Sequence, residues 1–316
     1  MTCKKNEWLK FYSSDQEEIA FPLATIEGAK PGPTVTITAG IHGAEYPGIV
    51  SAIRLFKQLA PEKVAGKIQI VTISSLKAFE SRSMFVCPVD GKNPNRFFPG
   101  DKNGSYTQVL AYHLFNDVIL KGDYYLDLHG GDMVEALEPF SIYHKSGNEK
   151  IDQKSLEITK YYGLKNIIST TLTGSWPDYG TTYANASEHG IPAAIVEAGG
   201  IGQLDEESVN LHMKGLYNVL RYLGCLEGEP VVPENLTFYD EFVWVYTPKK
   251  GIFYTKVKVG DEVSKNKCVG IIEDYFGNKI EEILSPINGK VLFLTTSPAV
   301  KENGLLMGLG GQPCKN

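Results

Sequence analysis

Cysteine is sparse in this chain, and none of it is paired. The five cysteines, Cys3, Cys87, Cys225, Cys268 and Cys314, are odd in number and widely spaced, with no CxxC pair. That excludes a disulfide framework and predicts free thiols in a reducing cytoplasm. No apolar run approaches the ~20 residues a membrane helix needs, so no membrane span is expected. The start, MTCKKNEWLKFYSSDQEE, is polar and has no apolar h-region, so no signal peptide is expected either. Basic residues are not in excess: the net charge is −6. This argues against a general nucleic-acid binder and for a soluble, mildly acidic protein.

What is present is an ordinary globular composition, 42% hydrophobic and 22% charged over 316 residues, enough for one large domain or two. Thr34-Val35-Thr36-Ile37-Thr38 reads as a buried strand and Gly48–Leu59 as the helix that follows it. Strands are also expected at Glu18–Ile26, Lys67–Ile73, Asp123–Leu128, Pro139–Tyr143 and Ile191–Val196. Lys30-Pro31-Gly32-Pro33 reads as a turn. Helical periodicity marks Tyr106–Leu120, Glu149–Tyr162 and Asp205–Leu223, the last with an acidic first turn that suits the helix dipole. Strands alternating with helices predict an α/β fold: a mixed, mainly parallel sheet with helices on both faces. Leu76–Phe98 is irregular, and a long ordered loop in such a domain is often functional.

After Gly224 the character changes. Glu227–Asn235 is Pro- and Glu-rich and reads as a linker between domains at 1–226 and 236–316. The second part shows short strands and an internal repeat. Thr247-Pro248-Lys249-Lys250-Gly251 is echoed by Ser285-Pro286-Ile287-Asn288-Gly289, and each leads into an apolar strand. Two equivalent β units predict a small all-β sandwich or barrel.

The chemistry sits at strand ends. The first strand stops at Ala39-Gly40, and His42 and Glu45 follow in the tight turn before Pro47. Residues three apart in a turn share a face, so an imidazole and a carboxylate there could bind one metal ion. The strand over Asp123–Leu128 ends in His129-Gly130-Gly131, and the one over Ile191–Val196 in Glu197-Ala198-Gly199-Gly200. In a parallel sheet these ends lie on one edge, where such folds place their ligands. His42, Glu45 and His129 make up the His₂Glu set of hydrolytic zinc sites. Glu197 is left over as a general base toward water acidified by the metal. Asp127 either orients a ligand imidazole from behind or is an ordinary strand-end carboxylate.

GIHGAEYPG, NPNRFFPG, LDLHGG and IVEAGG, in that order, resemble the succinylglutamate desuccinylase/aspartoacylase family, within the wider zinc carboxypeptidase-like group. The resemblance covers about residues 20–225. It implies a zinc-dependent amidohydrolase, with one Zn(2+) per chain, that removes a short acyl group from a small N-acylated amino acid of the aspartate, glutamate or diamino acid type. It implies His42, Glu45 and His129 as metal ligands and Glu197 as the base. Asn95 and Arg96 match the pair that holds a substrate carboxylate, and Arg82 matches the arginine that polarises the scissile carbonyl. Pro94 departs from the apolar residue many members carry, and Asn95-Arg96 is intact beside it. The C-terminal part is similar to the β domain of the bacterial branch, itself like lipoyl/biotinyl carrier domains. At the hairpin tip, where carriers have a modified lysine, this chain has Asn278, with Lys279 one residue off, so no lipoylation or biotinylation is expected.

Blander readings apply elsewhere. His113 is read as packed or surface, His189 as serving the last carbonyls of a helix, and Cys87 as a buried thiol. His144 and His212 have no evident partners. Three rival functions stay open: a zinc carboxypeptidase acting on small peptides or peptidoglycan fragments, a non-catalytic binding protein, and a carrier-type interaction module at the C-terminus, against which the missing tip lysine argues. The β domain is the candidate surface for homo-oligomer assembly. No nucleic-acid or membrane partner is expected.

Overall fold

The structure, a computed structural model, describes residues 2–171 and 180–313. Cys314 lies outside the described residues; Cys3, Cys87, Cys225 and Cys268 are free. No helix among the described residues is long and apolar enough to cross a membrane.

The larger sheet has nine strands. In chain order they are β1 (Cys3–Tyr12), β2 (Glu18–Glu27), β3 (Lys30–Ala39), β4 (Ala65–Val71), β5 (Tyr124–His129), β7 (Phe140–His144), β8 (Asn166–Thr170), β9 (Ala193–Glu197) and β10 (Thr237–Tyr239). A short β6 (Glu135–Leu137) stands apart from them. The spatial order is β1-β2-β4-β3-β5-β9-β7-β8-β10. β4, β3, β5 and β9 run parallel, and β1, β2 and the β7–β9 pairing are antiparallel. The sheet is therefore mixed with a parallel centre, as the pattern predicts. The Lys30–Pro33 turn is absorbed into the start of β3, as a shift in its register with β4.

Side chains alternate across a strand, and the two faces collect separate cores. Val35, Ile37, Leu126, Leu128, Ala194 and Val196 pack against α1 (Tyr46–Gln58), α4 (Glu149–Tyr162) and α6 (Glu206–Tyr222). Tyr125, Ile142 and Ile195 face α3 (Tyr106–His113) and α5 (Thr182–Glu188) on the other side. A further helix, α2 (Leu76–Ser81), occupies part of the stretch expected to be irregular. The helix expected through Leu120 keeps α geometry only to His113, then widens into a π turn over Leu114–Val118. β6, β8 and α5 went unread in the sequence; β6 and β8 are three and five residues long, too short for a clear period.

Beyond residue 240 two sheets enclose a third apolar core around Phe253, Val269, Ile272 and Leu306. One holds β11 (Phe242–Tyr246), β18 (Leu305–Gly310), β16 (Gly289–Thr295) and β13 (Glu262–Val263). The other holds β15 (Lys279–Leu284), β14 (Cys268–Glu273), β12 (Gly251–Thr255) and β17 (Ala299–Val300). The repeat seen in the sequence has a shared local structure. Thr247 Oγ1 donates to Lys249 O and Ser285 Oγ to Ile287 O, both at 2.7 Å, just before β12 and β16. Two strands cross between the parts: β10 adds to β8 at the edge of the large sheet, and β6 pairs with β16.

Candidate active site

Three parallel strands end together. Thr38 stands beside Asp127, and His129 beside Glu197, in the register of β3, β5 and β9. Tyr125, Asp127, His129 and Glu197 share a parity, so they point to one side of the sheet. Asp127 is fully buried on that side, and polar groups meet both of its oxygens. Thr38 Oγ1 donates to its Oδ1 (2.6 Å) and Thr182 Oγ1, from the first turn of α5, to its Oδ2 (2.5 Å). His129 Nε2 lies 3.0 Å from the same Oδ2. A strand-end carboxylate without a task would not be buried here; Asp127 fixes the ring of His129 from behind.

The front nitrogen of that ring, Nδ1, stands 2.9 Å from Glu45 Oε2. His42 makes the mirror arrangement: Nδ1 is 2.7 Å from Glu45 Oε1, and Nε2 is 3.1 Å from Asn93 Oδ1. Both imidazoles are pinned through Nε2 and turn Nδ1 toward one carboxylate. The ligand atoms of His42, Glu45 and His129 all lie within 4.8 Å of one another. Glu45 Oε2 is buried and has no hydrogen-bond partner among the described residues in spite of its closeness to His129 Nδ1. Nitrogen and oxygen are near but not aimed at each other, as expected when both aim at a third point. An orphaned buried carboxylate oxygen between two imidazoles fits a divalent cation, whose charge and coordination would satisfy all three.

Electrostatics agree. Burial works against the charge on Glu45, but His129 and His42 hold its carboxyl below the usual range. His129 goes the other way: burial opposes its charge, and Glu45 and Asp127 raise it well above an ordinary imidazole. The side chain of Glu197, at the end of β9, makes no hydrogen bond to any described residue. Burial foremost, with Glu45 and Glu135 adding to it, raises its carboxyl against the pull of the two histidines.

These groups share a cavity of about 990 Å³, the size of a small-molecule site. Asn95 and Arg96 line it with them. Asn95 Oδ1 accepts the Thr182 backbone N–H (2.9 Å), and Arg96 Nη1 donates to Asn95 O (2.6 Å). Arg82 is the expected residue that the structure does not bring there. It caps α2 with φ 50°, is exposed and does not line the cavity. The chain turns at Arg82, and Asp132 then accepts the Phe85 N–H (2.8 Å), so Met84 and Phe85 are what this segment presents to the cavity.

The other histidines are accounted for away from the cavity. His113 stacks on Phe11, with ring centroids 3.6 Å apart, and His189 Nδ1 donates to Asn185 O at the end of α5. His144 pairs with Glu188 and His212 with the Tyr162 hydroxyl, each at 2.7 Å. Cys87 is buried, and burial pushes its thiol up. Sequence reasoning missed Asn93, Asp132 and Glu135. Asn93 was legible as the first Asn of NPNR. The far wall, with Trp244, Tyr246, Ile252 and Val300, comes from beyond the linker and carried no signal.

Three comparisons bear on the family and the fold. Residues 31–223 match the model of the succinylglutamate desuccinylase/aspartoacylase catalytic domain. The chain is similar to an N-alpha-acetyl-L-2,4-diaminobutyric acid deacetylase of Halomonas elongata, 28% identical over 81% of this chain and 75% of that one. A product-bound structure of an ectoine utilization protein from Ruegeria pomeroyi superposes with TM-score 0.88 at 23% identity, covering 98% of this chain and 95% of that one. A succinylglutamate desuccinylase/aspartoacylase structure from Rhodobacter sphaeroides gives 0.86 at 24%, covering 99% and 96%. By the match over its catalytic part, the chain belongs to the succinylglutamate desuccinylase/aspartoacylase family.

Proposed function

We propose that this chain is a zinc-dependent deacylase that hydrolyses the amide of a small N-acylated amino acid, of the diamino acid, aspartate or glutamate type. The observation that carries it is the Glu45 carboxylate between two back-pinned imidazoles, with Glu197 at the next strand end. Family membership and the relative from Halomonas elongata support the same chemistry.

In this reading His42, Glu45 and His129 hold the ion, oriented by Asn93 and Asp127. The ion, when bound, supplies Lewis acidity toward water and the amide carbonyl. Glu197 takes the proton of the attacking water and returns it to the leaving amine. Arg96 and the amide of Asn95 bind a carboxylate of the substrate, as guanidinium groups do best. Arg82 has no part in it. Residues 1–226 are the catalytic unit. Residues 236–316 are a barrel-sandwich unit like a carrier domain without its lysine, and they wall the cavity. That wall favours small substrates over extended peptides.

The test is metal content together with hydrolysis of N-acetyl and N-succinyl amino acids before and after chelation. About one zinc per chain, with turnover lost on chelation and restored by zinc, is the expected result. Cleavage of dipeptides and longer peptides in preference to the panel would favour the carboxypeptidase reading. Glu197→Gln should keep the metal and lose about 10²–10⁴-fold in kcat; retained turnover would remove Glu197 as the base.

A further inference from the structure

One carboxylate in the cavity has no part in the reading above. Glu135 lies six residues past His129, at the start of β6, where that strand joins β16 through the pair Thr295–Glu135. Its backbone is clamped. The carbonyl oxygen accepts the Ile201 N–H (2.9 Å), and a Cβ on Gly131 or Gly200 would come within 2.2 or 2.3 Å of it. Both glycine loops, after β5 and after β9, are thus shaped around this residue. The side chain is only 9% exposed and lines the cavity. Oε2 accepts the Asp132 N–H (3.0 Å), and Oε1 makes no hydrogen bond to any described residue.

A buried, half-satisfied carboxylate is costly unless something cationic or hydrogen-bonding meets it. The neighbouring Asp132 does not line the cavity, and its oxygens accept the Phe85 and Met133 N–H groups. Arg96 borders the same cavity and acts on Glu135 electrostatically. Besides Glu45 and Glu197 at the candidate metal centre and Lys301 from beyond the linker, the cavity lining thus places the Arg96 guanidinium and the Glu135 carboxyl where one small molecule can reach both.

We propose that Glu135 binds a primary ammonium group of the substrate, so that the preferred substrate is an N-acylated amino acid carrying a free ammonium as well as a carboxylate. This rests on the deacylase reading and names a specificity residue within it. An ammonium fits better than a second hydroxyl or amide, because it brings the open Oε1 both a hydrogen bond and an opposite charge. Burial, followed by the nearby Glu45 and Asp132 carboxylates, pushes the Glu135 carboxyl well above its usual range.

The test compares two substrates that differ at one atom: Nα-acetyl-2,4-diaminobutyrate and N-acetylnorvaline, whose side chain ends in a methyl where the other has an ammonium. The zinc-loaded wild type should favour the first, and in Glu135→Gln the ratio of the two kcat/KM values should fall at least tenfold, chiefly through KM. The glutamine keeps an acceptor for the Asp132 N–H. Should it fail to fold, Glu135→Asp reads the same ratio, expected to lie between wild type and equality. Calorimetric titration with free 2,4-diaminobutyrate and free norvaline gives a readout without turnover: tighter binding of the diamine, lost in the variant. A ratio unchanged in the variant, or a wild type that prefers the methyl side chain, overturns the proposal while the deacylase reading stands. If neither compound is hydrolysed, the titration still decides Glu135, and the deacylase reading falls only if the N-acetyl and N-succinyl panel also shows no turnover.

Discussion

Asp127 shows how one residue's chemistry is set by its position on a strand. It falls on the parity of β5 that faces α5, where Thr38 and Thr182 meet it and His129 lies two residues on. In the proposed metal site it holds an imidazole at the right angle, so its loss should act on metal binding before it acts on the fold. Asp127→Asn should weaken zinc binding by about 10–100-fold, measured by competition with a chromophoric chelator; wild-type affinity would reduce Asp127 to a structural strand end. Asp90 illustrates a carboxylate used for stability alone. Its oxygens accept from Thr107 N–H, Thr107 Oγ1 and Ser105 Oγ at the start of α3. Burial raises its proton affinity, but these bonds win and its carboxyl sits below the usual range. A depressed native pKa means the unfolded chain takes the proton first as the pH falls. The stabilisation is complete above an unfolded Asp value of about 4 and is lost as pH drops through the native one. Asp90→Asn should therefore lower Tm at pH 7, and the gap to wild type should close below about pH 3. A gap of the same size at both pH values would remove Asp90 as the titrating cap.

The element that matters most is the turn between β3 and α1. It carries His42 and Glu45 and is pressed against the first turn of α2: a Cβ on Gly43 would lie 2.1 Å from Phe79 N and 2.3 Å from Ala78 C. Backbone occupies the space a side chain would need, so neither partner yields cheaply. Gly43→Ala should displace the turn and cut zinc content in protein that still folds, read as metal per chain beside a far-UV spectrum; full zinc occupancy would show that α2 gives way instead. The loop after α2 works by a similar device. Asp132, just past the β5 glycines, holds the Phe85 N–H, and this aims Met84 and Phe85 inward and leaves Arg82 outside. A motif match along the chain cannot register such a turn, because it depends on φ at one residue and a carboxylate fifty positions away.

At the scale of the molecule the two parts are stitched together. β10 extends the large sheet beside β8, while β6 leaves it to join β16. Tyr239, Phe242 and Leu292 are buried in the same core as Phe140 and Ile168. Cutting the chain at 226 would strip an edge strand and expose this apolar surface. A 1–226 fragment should aggregate, while the full chain should melt in one transition by calorimetry; a soluble, metal-binding fragment would show independent folding. Sequence alone determined the alternation of strand and helix, because hydrophobic period is a local property of the chain. It also determined the chemistry placed at the ends of β3, β5 and β9, because a His, a Glu or a His-Gly-Gly run just past an apolar strand is visible without a fold. The internal repeat was readable too, down to its Thr and Ser turns. Tertiary structure alone decided that Asn93 backs His42, that Arg82 faces away, and that Glu135 enters the cavity beside Arg96. These depend on which distant backbones approach each other, and no single segment encodes that.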